Sequence, residues 1–303
     1  MVAEVLGEAG YDANMVDCGD KRDLCSQISQ ITDEIIAYNC IFGRYGEDGT
    51  IAALLEFLQI SYTGSGPLAS ALSMDKARCA AFLSQHEVPG PRTIVLEAKY
   101  WSTVDEADVA RLLEQKGLCF GKGERVSKEI LVVKPNQSSF GSGVTALSNF
   151  DGFREALRHA STYSDSAVVQ EFVEGMTVYV PVLCGKALTP VEVVPELVEG
   201  NLTGYSFRSS RKTYMVPARL DDCSMESVRH LAEVAHATLG CRGLTRSDFR
   251  VANNGEAYFL ELNCQHSIRP NSVALMSAQN SGLSALSLVE SILDERWIQN
   301  GNW

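Results

Sequence analysis

The sequence predicts an α/β (α+β) chain folded around more than one core, and three observations carry that expectation. Helix-period and strand-period segments alternate along the first two-thirds. The last third is richer in strands and holds the hairpin signal Asn253-Asn-Gly-Glu256. The length of 303 residues also passes the ~250–300 residues at which a single core stops growing.

In order, Met1–Gly10 reads as a short helix closed by Gly10, and Ala13–Asp17 as an extended piece. Cys25–Thr32 is helical and Glu34–Phe42 extended. Gly49–Leu58 is helical, with Ile51, Leu54, Leu55 and Leu58 on one face. Ile60–Thr63 is a strand and Gly64-Ser-Gly-Pro67 a turn, so a small open α/β unit ends near Asp75. A second unit opens at Lys76 with a helix at Ala77–His86, a break at Pro89-Gly-Pro91, a strand at Arg92–Leu96 and a helix at Val104–Gln115. The polar stretch Gly117–Lys128 leads to the strand Ile130–Val133, the loop Asn136–Gly143, a helix near Phe150–Ser161 and the strand Ala167–Val169. The last unit is strand-rich from Thr177 to Pro195 and passes the polar loop Gly200–Lys212. Helix Met225–Leu239, strands Thr245–Val251 and Ala257–Asn263, and helix Ser284–Leu293 complete it. The expected domains are 1–75, 76–173 and 174–303.

Composition narrows the function. Hydrophobic residues at 45% and charged residues at 21% are those of packed domains, which excludes a disordered chain. A net charge of −12 supplies no broad basic surface, so no nucleic-acid partner is expected. No run approaches the ~18 apolar residues of a membrane span, so none is expected in a membrane. The nine cysteines are dispersed without a CxxC or CxxH pair, and no basic-then-apolar leader opens the chain. Reduced thiols in a cytoplasmic enzyme fit this pattern better than disulfides or zinc.

The strongest chemical signal is Arg246-Ser-Asp248 on one strand and Glu261-Leu-Asn263 on the next. Alternation puts Arg246 with Asp248, and Glu261 with Asn263, on single faces, and pairing across the hairpin gathers Asp248, Glu261 and Asn263. Three oxygen ligands without imidazole or thiolate suit Mg²⁺; the bland alternative is the solvated face of an edge strand. Lys76 and Lys134 are candidate phosphate ligands, Lys134 following four apolar residues. Gln137–Gly143 could wrap backbone N–H groups around phosphates or simply connect, and it is not a P-loop, because GxxxxGK[ST] is absent. Gln170-Glu-Phe-Val173 is an extended segment whose backbone could read an adenine edge. GxSxG is absent and the histidines sit mostly in helical stretches, with His230 and His236 read as surface or helix-packing residues. Nucleophilic hydrolysis therefore finds no support.

These residues, in this order, resemble the D-alanine–D-alanine ligases of the ATP-grasp superfamily. The carriers are Gly46-Glu-Asp-Gly49, Tyr62-Thr-Gly-Ser-Gly66, Ser70-Ala-Leu-Ser-Met-Asp-Lys76, Leu244-Thr-Arg-Ser-Asp-Phe249 and Phe259-Leu-Glu-Leu-Asn263, spread over about residues 1–295. The resemblance implies three domains, ATP between two of them, and a homodimer. It implies a carboxylate–amine ligase acting on small amino-acid substrates through an acyl phosphate, with ATP and two Mg²⁺ ions, Mn²⁺ being an alternative. On it, Lys76 and Lys134 bind phosphates, and Asp248, Glu261 and Asn263 hold the metals. Arg246 and a backbone N–H near Ser267 stabilise the oxyanion, Ser272 binds the attacking amino acid's carboxylate, and Glu47 joins the first-substrate network. Gln170, Glu171, Phe172 and Val173 lie at the adenine.

The departures cluster. Phe42 stands where the family has histidine, Phe140 or Gly141 where serine is usual, and Ser206-Phe207 where a lysine and tyrosine cover the phosphates. Arg208, Arg211 or Lys212 could restore that charge. Thr177 replaces a glutamate that meets the ribose, and the oxyanion turn reads Asn263-Cys-Gln-His-Ser-Ile-Arg269. Phe42, Phe140 and Phe207 are therefore expected at an altered first-substrate site. A first strand, its glycine-rich loop and a glutamate, about twenty residues of family pattern, are also absent. Either the true start lies upstream, or the truncated N-terminal domain works without them, which would leave an open edge beside Glu34–Phe42. Two alternatives stay open: an ordinary D-alanine–D-alanine ligase of peptidoglycan synthesis, and a degenerate nucleotide-binding ATP-grasp protein without ligase activity.

Overall fold

The computed structural model describes residues 1–17, 19, 21–29, 35–97, 105–117, 131–139, 141–147, 150–195 and 212–296. The chain begins with helices α1 (Val2–Glu8) and α2 (Lys21–Ser29). Strand β1 (Ile36–Ala37), helix α3 (Thr50–Phe57), strand β2 (Ser61–Tyr62) and helix α4 (Pro67–Met74) follow. Among the described residues β1 pairs only with β2, in parallel. The extended run expected at Glu34–Phe42 shrinks to β1, because Asn39 turns the chain: its Oδ1 accepts from the Ile41 N–H at 2.9 Å and its Nδ2 donates to the Gly46 carbonyl at 3.0 Å. The turn read at Gly64–Pro67 continues into α4, with Pro67 in the first helical position where its missing N–H costs nothing.

Helix α5 (Lys76–Leu83) starts on an Asp75 cap whose carboxylate accepts from the Arg78 N–H, and a 3₁₀ turn at Ser84–His86 ends it. Then come β3 (Thr93–Glu97), α6 (Glu106–Gln115), β4 (Leu131–Pro135), β5 (Thr145–Leu147), α7 (Phe153–Ser161) and β6 (Ser166–Glu171). These strands form an antiparallel sheet in the order β3-β6-β4-β5. One face buries Leu131, Val133, Ala167 and Val169 against Val109, Leu113, Phe153 and Leu157 of α6 and α7.

The largest sheet comprises β7 (Gly175–Leu183), β8 (Lys186–Ala187), β9 (Val191–Pro195), β10 (Lys212–Met215), β11 (Leu244–Ala252) and β12 (Ala257–Asn263). Its order is β10-β9-β7-β11-β12, all antiparallel, with β8 on β7. Helix α8 (Asp222–Thr238) opens three residues before its apolar period does, because Asp221 caps it. Helices α9 (Val273–Asn280) and α10 (Ala285–Asp294) close the fold, each capped by a serine, Ser272 and Ser284.

Packing crosses the expected boundaries. Cys79, Leu83 and Ala69 of α5 and α4 join the core between the large sheet and α8, and Leu6 of α1 packs with Leu288, Val289 and Ile292 of α10. The first two helices after β2 thus brace the sheet that carries Asp248 and Glu261. His236, expected at a helix surface or packing position, is buried with Nδ1 2.7 Å from Thr245 Oγ1. No helix among the described residues is long and apolar enough to cross a membrane.

Candidate active site

Side chains of five strands converge on one cavity of about 630 Å³. Thr177 and Tyr179 reach it from β7, Lys212 and Tyr214 from β10, Arg246, Asp248 and Arg250 from β11, Glu261 and Asn263 from β12, and Val132 and Lys134 from β4. In every case the spacing is two, the period at which strand side chains return to one face. The intervening Val178, Val180, Phe249 and Val251 enter the core beneath. Glu47, Phe42, Lys76, Gln170, Glu171, Phe172, Val173, Ser267 and Ser272 line the same cavity, so every described candidate meets there. Phe140, Phe207, Arg208 and Arg211 lie outside the described residues.

Asp248 stands opposite Glu261, and Arg246 opposite Asn263, with an irregularity just after Asp248. β11 is flanked by β7 and β12, and Asp248 is 3% exposed, so the solvated-edge alternative does not hold. Arg246 grips the Asp248 carboxylate with Nε donating to Oδ1 at 2.6 Å and Nη2 to Oδ2 at 2.8 Å. Its guanidinium carbon lies 4.3 Å from the centre of the Tyr179 ring. Burial pushes the Asp248 carboxyl up to about 6 against the pull of Arg246. Burial also raises the Glu261 carboxyl, but Lys76, Lys134 and Arg246 together outweigh it and hold it below the usual range.

Both candidate lysines are buried. Lys76, the first residue of α5, donates from Nζ to the Ser138 carbonyl at 2.6 Å and lies 3.2 Å from Glu261 Oε2. Lys134 is 8% exposed, and burial pushes its ammonium down to about 8 although Glu261 opposes the shift. Six cations line the cavity (Lys76, Lys134, Lys212, Arg246, Arg250 and Arg269) against four carboxylates (Glu47, Glu171, Asp248 and Glu261). An acidic chain thereby builds a locally cationic site, as a polyphosphate requires.

The donor set fits a hard divalent cation. Asp248 and Glu261 supply carboxylate oxygens and Asn263 an amide oxygen, while Asn263 Nδ2 is buried without a hydrogen-bond partner. A phosphate oxygen brought in with the metal would satisfy that orphaned donor. Two carboxylates and an amide make up this set; among the described residues no group of three or more His, Cys, Asp or Glu side chains gathers.

At the far end Glu47 is fixed by the Gly43 N–H, which donates to Oε2 at 2.8 Å, and by the Ser139 hydroxyl, which donates to the same oxygen. The motif glycines on either side are required sterically: a Cβ on Gly46 would meet the Ile41 carbonyl oxygen at 2.0 Å, and Gly49 has φ +86°. Ser272 accepts from the Leu275 N–H at 3.3 Å, so it caps α9 at the cavity wall. Ser267 accepts from Arg269 Nε at 2.8 Å. Glu171 binds Arg92, accepting from its backbone N–H at 2.7 Å and from Nε at 2.8 Å, and Gln170 donates to Thr93 Oγ1 at 3.1 Å.

Among the lining residues that the sequence reading does not single out are Tyr179, Tyr214 and Arg250, while His266 and Arg269 fall in the oxyanion turn without a role of their own. Period-two alternation from Thr177, Lys212 and Asp248 would have found these three. His266 sits in the oxyanion turn with Nε2 2.9 Å from the Asn263 carbonyl oxygen, and burial, then Arg246, pushes its imidazolium down to about 3. The departure of that turn from the family pattern is the one sequence signal that touches it and Arg269.

Residues 98–294 match the family model described as the D-ala D-ala ligase C-terminus. The D-alanine–D-alanine ligase of Anaeromyxobacter dehalogenans is 34% identical over 292 residues, 96% of this chain and 88% of the relative. That of Bordetella petrii is 31% identical over 297 residues, 97% of this chain and 85% of the relative. Among solved structures, the VanG D-Ala:D-Ser ligase of Enterococcus faecalis superposes with a TM-score of 0.71 at 22% identity, covering 86% of this chain and 72% of that one. The D-alanine–D-alanine ligase of Coxiella burnetii gives 0.69 at 22% identity, covering 86% and 68%. These two establish the ATP-grasp architecture expected from the sequence. The chain belongs to the D-alanine–D-alanine ligase family, ATP-dependent ligases that form a C–N bond.

Proposed function

We propose that this ligase joins two amino acids through an acyl phosphate, with a first-substrate site that departs from strict D-alanine recognition. The observation that carries the reading is the meeting, in one cavity, of buried Lys76 and Lys134 with the strand-borne Arg246, Asp248, Glu261 and Asn263. The first substrate's carboxylate oxygen attacks the γ-phosphorus of ATP, the bond to the β,γ-bridging oxygen breaks, and ADP leaves. The second substrate's amine nitrogen then attacks the acyl carbon, and inorganic phosphate departs with the C–O electron pair. The protein contributes position and charge rather than covalent chemistry.

In this reading Lys76 and Lys134 neutralise phosphate oxygens, and Gln170–Val173 and Thr177 surround the base and ribose. Asp248, Glu261 and Asn263 would hold Mg²⁺, which when bound neutralises charge on the transferring phosphoryl group. Arg246 and the turn at Ser267 face the developing oxyanion. Ser272 and the first N–H groups of α9 take the carboxylate of the amine substrate. Glu47 belongs to the first-substrate end, beside Phe42. A buried polar group deprived of its partner costs roughly 1–3 kcal/mol, so aromatic residues in place of polar contacts shift preference toward a different first amino acid.

The test is isotopic. A first substrate labelled with ¹⁸O in its carboxylate must deliver one label to the released phosphate. Phosphate released without label contradicts the acyl-phosphate route.

A further inference from the structure

The segment proposed to read the base includes residues that lie outside the strand ladders. Residues 172–174 belong to no strand; they bridge β6, which ends at Glu171, and β7, which begins at Gly175. No ladder bonds hold them, yet a backbone that reads an adenine edge must present its amide and carbonyl at fixed angles. A side chain from a third strand holds two of the three.

That side chain is Arg250 of β11, 8% exposed and on the cavity face. Its Nε donates to the Val173 carbonyl at 2.9 Å, its Nη1 donates to Thr177 Oγ1 at 2.7 Å, and its guanidinium carbon lies 5.0 Å from the centre of the Phe172 ring. Arg250 also pairs with Thr177 through the β11–β7 ladder. Close approach tightens the joint further: a Cβ on Gly175 would meet the Val251 carbonyl oxygen at 2.0 Å, so only glycine lets the segment lie against β11.

Burying a guanidinium is costly unless its donors are satisfied, and an apolar side chain of similar length would fill the space without that cost. The charge is explained by what it grips. We propose that Arg250 is the positioning residue of the nucleotide site: it fixes Phe172 and Val173 in the base-reading conformation and thereby sets the preference for adenine over guanine. Adenine and guanine differ in the donor and acceptor at the edge a backbone would read. Fixed backbone polarity discriminates between them; slack backbone does not. Thr177 is part of the same device, as the second anchor of the guanidinium. The inference rests on the placement of ATP proposed above.

The experiment compares the wild-type chain with Arg250→Met and Arg250→Lys, measuring ATP and GTP binding by calorimetry and turnover against each substrate. Loss of two charge-assisted bonds should raise the ATP Kd and KM of R250M by about tenfold or more. The KM values for both amino acids and kcat at saturating ATP should stay within about twofold, and the ATP-to-GTP preference should fall. R250K, which keeps the charge but concentrates its donors on a single nitrogen, should recover part of both. Thr177→Val, which removes one anchor, should give a smaller shift of the same kind. A folded R250M or R250K with wild-type ATP affinity and wild-type ATP-to-GTP preference would overturn the inference and leave Arg250 a purely structural residue. Absence of ATP binding by the wild-type chain would instead overturn the ligase reading, and this inference with it.

Discussion

The two ends of the cavity are built differently. The end holding Lys134, Arg246, Asp248, Glu261 and Asn263 is carried on paired strands, where register and the two-residue period fix each side chain. The other end, holding Phe42, Glu47, Ser139 and the turn from Gln265 to Ser272, is carried on loops held by a few side-chain hydrogen bonds, such as those from Gly43 and Ser139 to Glu47. Of the departures read from the sequence, Phe42 and the turn from Gln265 to Arg269 lie on loops while Thr177 lies on β7. Of the retained motifs, Leu244–Phe249 and Phe259–Asn263 lie on strands while Gly46–Gly49 lies on a loop. Strands constrain many neighbours at once, so a change there disturbs a sheet; a loop residue can change while the catalytic face stays intact. Under the proposed function, the chemistry belongs mainly to the strand end and first-substrate recognition to the loop end.

The largest effect should come from the strand end. Asp248→Asn or Glu261→Gln keeps shape while removing charge from the proposed ligand set, and ADP release should fall by roughly 10²–10³-fold or more. Retention of near-normal turnover would remove these residues from the metal and phosphate chemistry.

The next effect is a pH dependence centred on Lys134. Burial holds its ammonium at about 8, so the ligand-free site loses a positive charge as pH rises through that value. ATP affinity should therefore fall above about pH 8 in the wild type, and Lys134→Arg, which stays charged, should flatten that limb. Stability carries the opposite sign. Between about 8 and the ~10.4 of an unfolded lysine, the unfolded chain keeps a proton that the folded chain has lost, so the ligand-free fold gains stability with rising pH. Lys134→Met should abolish that gain in a pH series of denaturant melts.

The loop end should respond more gently and more selectively. Glu47→Gln should raise KM for the first substrate by about tenfold, in line with a hydrogen bond to a charged group, while KM for ATP changes little. An equal loss for ATP would mean that the two ends are not separable. Ser272→Ala should cost about 1 kcal/mol of stability through the lost α9 cap and raise KM for the amine substrate only. Urea melts and substrate titrations measure the two parts independently.

The same division governs what was legible in the sequence. Alternation and the Asn-Asn-Gly-Glu turn placed Asp248, Glu261 and Asn263 together, and the paired strands do carry them on one face. Glu34–Phe42 read as extended because its apolar residues suit a strand, whereas the Asn39 side chain turns the chain after Ala37. Gly64–Pro67 reads as a turn and α4, which starts at Pro67, goes unassigned, because Gly-Ser-Gly-Pro carries the same signal as a helix start. That α4 and α5 brace the large sheet, and that Arg250 reaches across to Val173, are long-range facts without a local pattern. His266 falls in the oxyanion turn but receives no role from the sequence, because turn residues have no period that says which side chains face the cavity.

The central claim, an ATP-dependent amino-acid ligase whose first-substrate end has diverged, is tested most directly by ADP release across a panel of amino-acid pairs, with the mass of each product determined. The account predicts ADP and dipeptide in equal amounts, with a first amino acid other than D-alanine preferred and D-alanine alone turned over weakly. Robust turnover at low millimolar D-alanine, with D-alanyl-D-alanine as the favoured product, would contradict the divergence.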